Sequence, residues 1–206
     1  MRMSGGPILA AENWSPTELL ASGWAEADLA WEQAAEAAVE AVAQGDIARA
    51  KDEAGSALRL ARESFEAIDP RLGTALANFA VCLGLAGNAG GTARLLGEAR
   101  DVWAGAGPWI ARMDAPRVAR SSLFHMRMEL RHRDTYRARW QQRWAEIAAE
   151  AKVRLDALTE SAAVTGDAAR EALARWRRER PAMLNDTRKL MAAAFLLLAP
   201  PPRGAA

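Results

Sequence analysis

Imidazole is the commonest protein ligand for a transition metal, so the two histidines come first. His125 and His132 stand seven apart, about 10.5 Å along a helix axis, whereas a zinc ion sits about 2 Å from each nitrogen that binds it. The pair cannot share one ion, and no metal site is expected. The run Gly84-Leu85-Ala86-Gly87-Asn88-Ala89-Gly90-Gly91-Thr92 has the glycine density of a phosphate loop. Such a loop needs a Lys just before the Ser or Thr and a strand leading in, but Gly91 holds that position and helix-forming residues precede it. Cys82 lies between Val81 and Leu83, where a free cysteine behaves as a small hydrophobe. Neither Gly-x-Ser-x-Gly nor His-Glu-x-x-His occurs. The residues describe a protein that is not an enzyme and carries no cofactor.

Arginine is the other residue type able to do chemistry here. Residues 127–143 hold six arginines (Arg127, Arg131, Arg133, Arg137, Arg139, Arg143) against Glu129 and Asp134, and Arg175, Arg177, Arg178 and Arg180 surround Trp176. Arginines interleaved with aromatic rings can bind nucleic acid through phosphate contacts and stacking. Trp140 and Trp144, however, are four apart and continue an apolar stripe through Ile147 and Ala151, which makes them core residues. The arginines are then a solvated face, or they pair with the acidic part of the chain. Residues 1–66 carry twelve Asp or Glu against five Lys or Arg, a local charge of −7 in a chain whose net charge is +1. Nucleic-acid binding through the face 127–143 is kept as the alternative reading.

Such residues must be positioned by helices. Half of the 206 residues are apolar and only 6% are aromatic; Ala and Leu, both good helix formers, dominate, and strand-favouring residues are scarce. No stretch alternates apolar and polar with period two, so the fold class is all-α. Ser15-Pro16-Thr17-Glu18 is a helix start, and that helix ends near Gly23. Helices are predicted over about 25–43, 47–67, 71–86, 91–104, 117–132, 135–163 and 166–180, with a last one after Pro181. Gly45-Asp46, Asp69-Pro70 and Gly87-Asn88 punctuate them, and a loop is predicted over 105–116.

The units repeat. A shift of 42 places Gly45-Asp46 on Gly87-Asn88, and a shift of 47 places Leu76, Phe79 and Leu83 on Leu123, Met126 and Leu130. A single helix pair cannot bury its own apolar stripe, so neighbours must stack. Ala57-Leu58 through Ala67-Ile68-Asp69-Pro70-Arg71, followed by Thr74-Ala75-Leu76-Ala77-Asn78-Phe79-Ala80, resembles the longer, kinesin-light-chain type of tetratricopeptide repeat over about residues 30–105. The resemblance implies a right-handed α-solenoid of about three helix pairs with a C-terminal helical cap. Its parts would be an N-terminal arm and short helix (1–23), repeats (24–163), capping helices (164–199) and a disordered tail (200–206).

It also implies a role: an adaptor, scaffold or assembly factor that holds a polypeptide segment in a concave groove. In that family the Asn of Leu-x-Asn-x-Ala holds the ligand's backbone, and Asn78 matches it. The two shifts carry Asn78 onto Glu36 and His125, and Thr74 onto Glu32. Val81, Arg120 and Arg127 complete the expected partner-binding set. An amide suits the task because it offers a donor and an acceptor to main chain.

The segment Leu190–Leu198 is apolar nearly all round, and such a helix must be buried, against its own repeats, through residues 182–199 in a homo-oligomer, or on the partner. The ten apolar residues Leu190 to Ala199 reach about half the length a bilayer requires, so no membrane span is expected. A lone cysteine and the absence of a secretory signal place the expected location in the cytoplasm.

Overall fold

The computed structural model describes residues 15–21, 23–88, 90–113, 133–160, 164–179 and 186–200. These form an all-α protein, without strands among the described residues. The helices are α1 (Pro16–Ala21), α2 (Glu26–Gln44), α3 (Ile47–Ser64), α4 (Pro70–Leu85), α5 (Thr92–Gly105), α6 (Gly107–Ala111), α7 (Arg133–Glu160), α8 (Gly166–Glu179) and α9 (Asp186–Phe195). The helix predicted over 117–132, the arm before Ser15 and the tail beyond Pro200 lie outside the described residues.

Local chemistry sets the joints. At the end of α2, Gly45 adopts φ +79° and the Asp46 amide reaches back to the Ala41 carbonyl at 2.9 Å. At the end of α4, Gly87 adopts φ +78° and the Asn88 amide reaches the Leu83 carbonyl at 2.9 Å. Both are left-handed helix stops that capture an orphan carbonyl, 42 positions apart as the sequence shift requires. Asp46 then caps α3, its carboxylate accepting from the Arg49 amide at 3.0 Å. Asp69 caps α4 in the same way, accepting from the Arg71 amide at 2.9 Å, with Pro70 in the first turn, where its missing N–H costs nothing. Residues 107–111, predicted as loop, form the short helix α6, which Pro108 starts for the same reason.

The short joints fold α2 to α5 back and forth on one another, each packed on the next. Small residues let the backbones approach: Ala50, Ala54, Ala57 and Ala61 of α3 are all buried. Helix α8 packs on α2, and α7 packs on α5. Helix α9 touches α4, α7 and α8, and its side chains also reach α2. The inner helices α2, α4, α7 and α8 thus enclose α9, and α3 and α5 lie outside them.

A capping role for the C-terminal helices is what the repeat pattern leads one to expect; α9 instead runs through the interior. Leu190 to Ala199 are each at most 3% exposed. Burying Leu190, Met191, Phe195, Leu196, Leu197 and Leu198 stabilises the fold by about 1.5–3 kcal/mol per side chain. A helix that is apolar on every side has no face to offer solvent, so the interior is where it is stable. Residues 190–199 are therefore enclosed by their own chain, and a homo-oligomer interface built on them would require them to leave.

Candidate functional site

Three of the helices around the channel that α9 occupies supply most of the polar groups that face it. Asp28 and Glu32 sit one turn apart on α2, and Thr74 and Asn78 one turn apart on α4, so that each pair faces the same way; Arg154 lies in the second-to-last turn of α7. At the start of α9, Arg188 makes a two-point ion pair with Glu32: Nε donates to Oε2 at 2.9 Å, and Nη2 donates to Oε1. The pair is buried, and the Arg188 guanidinium also lies 5.2 Å from the Trp24 ring centre, within cation–π range. The Lys189 ammonium sits 3.1 Å from Asp28 and 3.3 Å from Asp186. Trp144 donates its indole N–H to the Thr187 hydroxyl at 3.1 Å.

Further along, the contacts change character. Thr74 donates its hydroxyl to the Ala193 carbonyl at 2.7 Å. The Arg154 guanidinium donates to the carbonyls of Ala194 at 2.9 Å, Leu197 at 2.7 Å and Ala199 at 3.2 Å. Asn78 uses both ends of its amide: Nδ2 donates to the Leu196 carbonyl at 2.8 Å, and Oδ1 accepts from the Leu198 amide at 2.7 Å. Every one of these bonds goes to main chain. Ala193 and Ala194 stand in the last turn of α9, where a helix end leaves carbonyls without partners, and Leu196, Leu197 and Ala199 follow it.

Burial and neighbouring charges shift the ionisation of several groups in and around the channel. Burial raises the pKa of Asp28, but the Arg71 hydrogen bond and charge, the Ala25 amide and Lys189 outweigh it and hold the carboxyl below its ordinary value. Arg71 in turn grips Asp69, with Nε–Oδ1 at 3.0 Å and Nη2–Oδ2 at 2.6 Å, and lies 3.6 Å from the Phe65 ring centre. These groups border a cleft of about 400 Å³ that also includes Trp109 and Lys189. Its buried carboxylates are engaged with Arg71 and Lys189, an arrangement that fixes structure. Burial pushes the Arg154 guanidinium down to about 10, with the Glu150 charge opposing, so it remains a cation at neutral pH. Burial pushes the Cys82 thiol up to about 12.

The structure gathers three of the eight expected partner-binding residues, Glu32, Thr74 and Asn78, around the C-terminal segment. Glu36 faces α8 instead, accepting from the Trp176 indole at 3.1 Å and from Arg177 at 2.9 Å. Val81 is buried in the core. Arg120, His125 and Arg127 lie outside the described residues. Asp28 and Arg154 were not anticipated. A signal for Arg154 existed: it falls seven positions after Ile147 and three after Ala151, a cation on the apolar stripe of α7.

Arg137, Arg139 and Arg143 are exposed on α7, and Arg143 lies 3.6 Å from Glu146 and 3.8 Å from Glu179. Trp144 is buried and Trp140 packs against the core. Among the described residues, no three His, Cys, Asp or Glu are grouped to hold a metal ion, and no helix is long and apolar enough to cross a membrane. Comparison of the chain with protein-family models, curated proteins and solved structures finds no match.

Proposed function

We propose that this protein is a non-catalytic protein–protein interaction module of the tetratricopeptide type. In this reading the α2–α3 and α4–α5 pairs are successive repeats of a right-handed solenoid, and the protein is an adaptor, scaffold or assembly factor that holds a polypeptide segment in its concave channel. The carrying observation is the Asn78 amide, which meets a carbonyl and an N–H of the Leu196–Leu198 main chain at 2.8 and 2.7 Å. A side chain that satisfies both partners of a peptide backbone is equipped to hold polypeptide irrespective of sequence. The matching Gly45 and Gly87 stops, 42 positions apart, support the repeat assignment.

An array of 15-residue peptides, screened against the full chain, against Arg188→Ala, and against Arg188→Ala combined with Asn78→Ala, tests this reading. Peptides captured by the first two should lose at least tenfold in affinity on the third, compared at a temperature where circular dichroism shows the third to be as helical as the second. If neither the full chain nor Arg188→Ala captures any peptide, or if Asn78→Ala leaves capture intact, the channel is not a binding site.

A further inference from the structure

The occupant of the channel describes what the channel accepts. Two kinds of contact hold residues 186–199, and they fall on different stretches. The first stretch is read by charge: Glu32 faces Arg188 and Asp28 faces Lys189, all four with side chains at most 14% exposed. A cation pair at that depth is selected because an unpaired buried carboxylate is costly. The second stretch is read through its backbone. Five carbonyls (Ala193, Ala194, Leu196, Leu197, Ala199) and one amide (Leu198) bond to Thr74, Asn78 and Arg154. None of these bonds inspects a side chain, so the side chains there need only be apolar and small enough to fit.

Arg154 adds a second constraint. Its hydrogen bonds all go to carbonyls of the C-terminal segment, and its Nε has no partner. Among the described residues no carboxylate lies within ion-pair distance of it. A cation at 6% exposure loses all its acceptors when the segment departs. Another set of carbonyls arriving in its place restores them.

Building on the interaction-module reading, we infer that the channel is a two-part receptor for a partner segment made like the one it holds. That segment has an adjacent cationic pair, then a turn or more of apolar helix, then a short Leu-rich run past the helix end, and it enters by taking the place of residues 186–199. The C-terminal segment is accordingly an internal competitor, and its Arg188–Glu32 and Lys189–Asp28 ion pairs set how firmly it competes.

The test uses the full chain and a fluorescent, isotope-labelled peptide of residues 186–200. Binding is followed by polarisation, and release of the resident segment by hydrogen exchange at Leu196 to Leu198. Arg188→Ala should bind the peptide at least tenfold more tightly than the unaltered chain, with the resident amides losing protection as the peptide binds. The peptide carrying R188E and K189E should bind at least tenfold more weakly than the unaltered peptide. Lys189→Ala, at a less buried position, is measured alongside so that a folding defect in Arg188→Ala leaves a readable variant. A folded variant that binds no more tightly than the unaltered chain overturns the inference. So does binding with Leu196 to Leu198 still protected, or equal binding of the charge-reversed peptide. A variant that elutes as a dimer and refuses the peptide also overturns it, by making a second copy the occupant. If the peptide array yields Asn78-dependent binders of other chemistry, only this inference fails; if it yields none, the reading beneath it fails as well.

Discussion

Glu32 and Arg188, 156 positions apart in the chain, form a two-point ion pair with side chains only 8% and 6% exposed. It ties the first half of the protein to its last helix. Two opposite charges at this depth require each other, since either one alone would be stranded in a medium that solvates it poorly.

Removing one member should therefore cost more than removing both. Glu32→Leu or Arg188→Met is expected to lower unfolding free energy by about 3–5 kcal/mol. The double variant Glu32→Leu/Arg188→Met should recover a substantial part of that loss. Urea denaturation of the four proteins as a double-mutant cycle measures the coupling; additive losses would mean that the pair does not act as a unit.

Asn78→Ala leaves the Leu196 carbonyl and the Leu198 amide buried without partners. Each orphaned group costs about 1–3 kcal/mol. Asn78→Asp keeps an acceptor for the Leu198 amide, yet offers no donor to Leu196 and sets a carboxylate oxygen against that carbonyl. Hydrogen exchange at Leu198 should accelerate strongly in the Ala variant and less in the Asp variant.

At Gly73, α4 and α5 approach closely. A Cβ added there would stand 2.6 Å from Trp103 Cδ1 and 3.2 Å from the Ala99 carbonyl oxygen, and Trp103 is itself fully buried. Gly73→Ala should destabilise by about 1–3 kcal/mol through overpacking, which for a chain of this length lowers the melting temperature by about 2–4 °C per kcal/mol. Gly84→Ala, with open space at the corresponding Cβ, is the control and should not lower it.

The Cys82 thiol is buried in α4 and its pKa is raised from 9.0 to about 12 by desolvation. Folding favours its neutral form. The stability this provides is fully present below the unfolded pKa near 9 and is lost as pH rises from there through about 12. At neutral pH, alkylation should be slow, at a rate set by local opening. Between pH 9 and 11 the full chain should lose more stability than Cys82→Ala does, and parallel pH profiles would show that the thiol is solvated.

Asp28 carries the opposite sign, its pKa lying below the ordinary 3.8. Its contribution is present above that value and lost as pH falls through the lower, folded one. The Asp28→Asn variant should therefore converge with the unaltered chain only in strong acid, as followed by circular dichroism down to pH 2.

Much was legible before any coordinates. The Asp69-Pro70 start, the Gly45-Asp46 and Gly87-Asn88 stops, and the Ala-rich stripe of α3 are readable because caps, left-handed glycines and helical periodicity act over four or five residues. Glu32, Thr74 and Asn78 were legible as a set because one register places them on the inner faces of their helices. The short helix α6 was missed since Gly105, Gly107 and Pro108 signal a break as readily as a start. Glu36 was assigned to the channel, yet it turns to Trp176 and Arg177, partners 140 and 141 positions away.

The sequence by itself determined that the protein is helical, where its helices stop, and that Leu190–Leu198 has to be shielded from water, because these follow from each segment's own backbone and solvation energies. Only the tertiary structure decided what shields that segment. The bonds that seat it join Thr74, Asn78 and Glu32 to atoms 118 to 156 positions away. A run of apolar residues specifies burial without specifying a neighbour, and the neighbour emerges only when α2, α4, α7 and α8 close around the same axis.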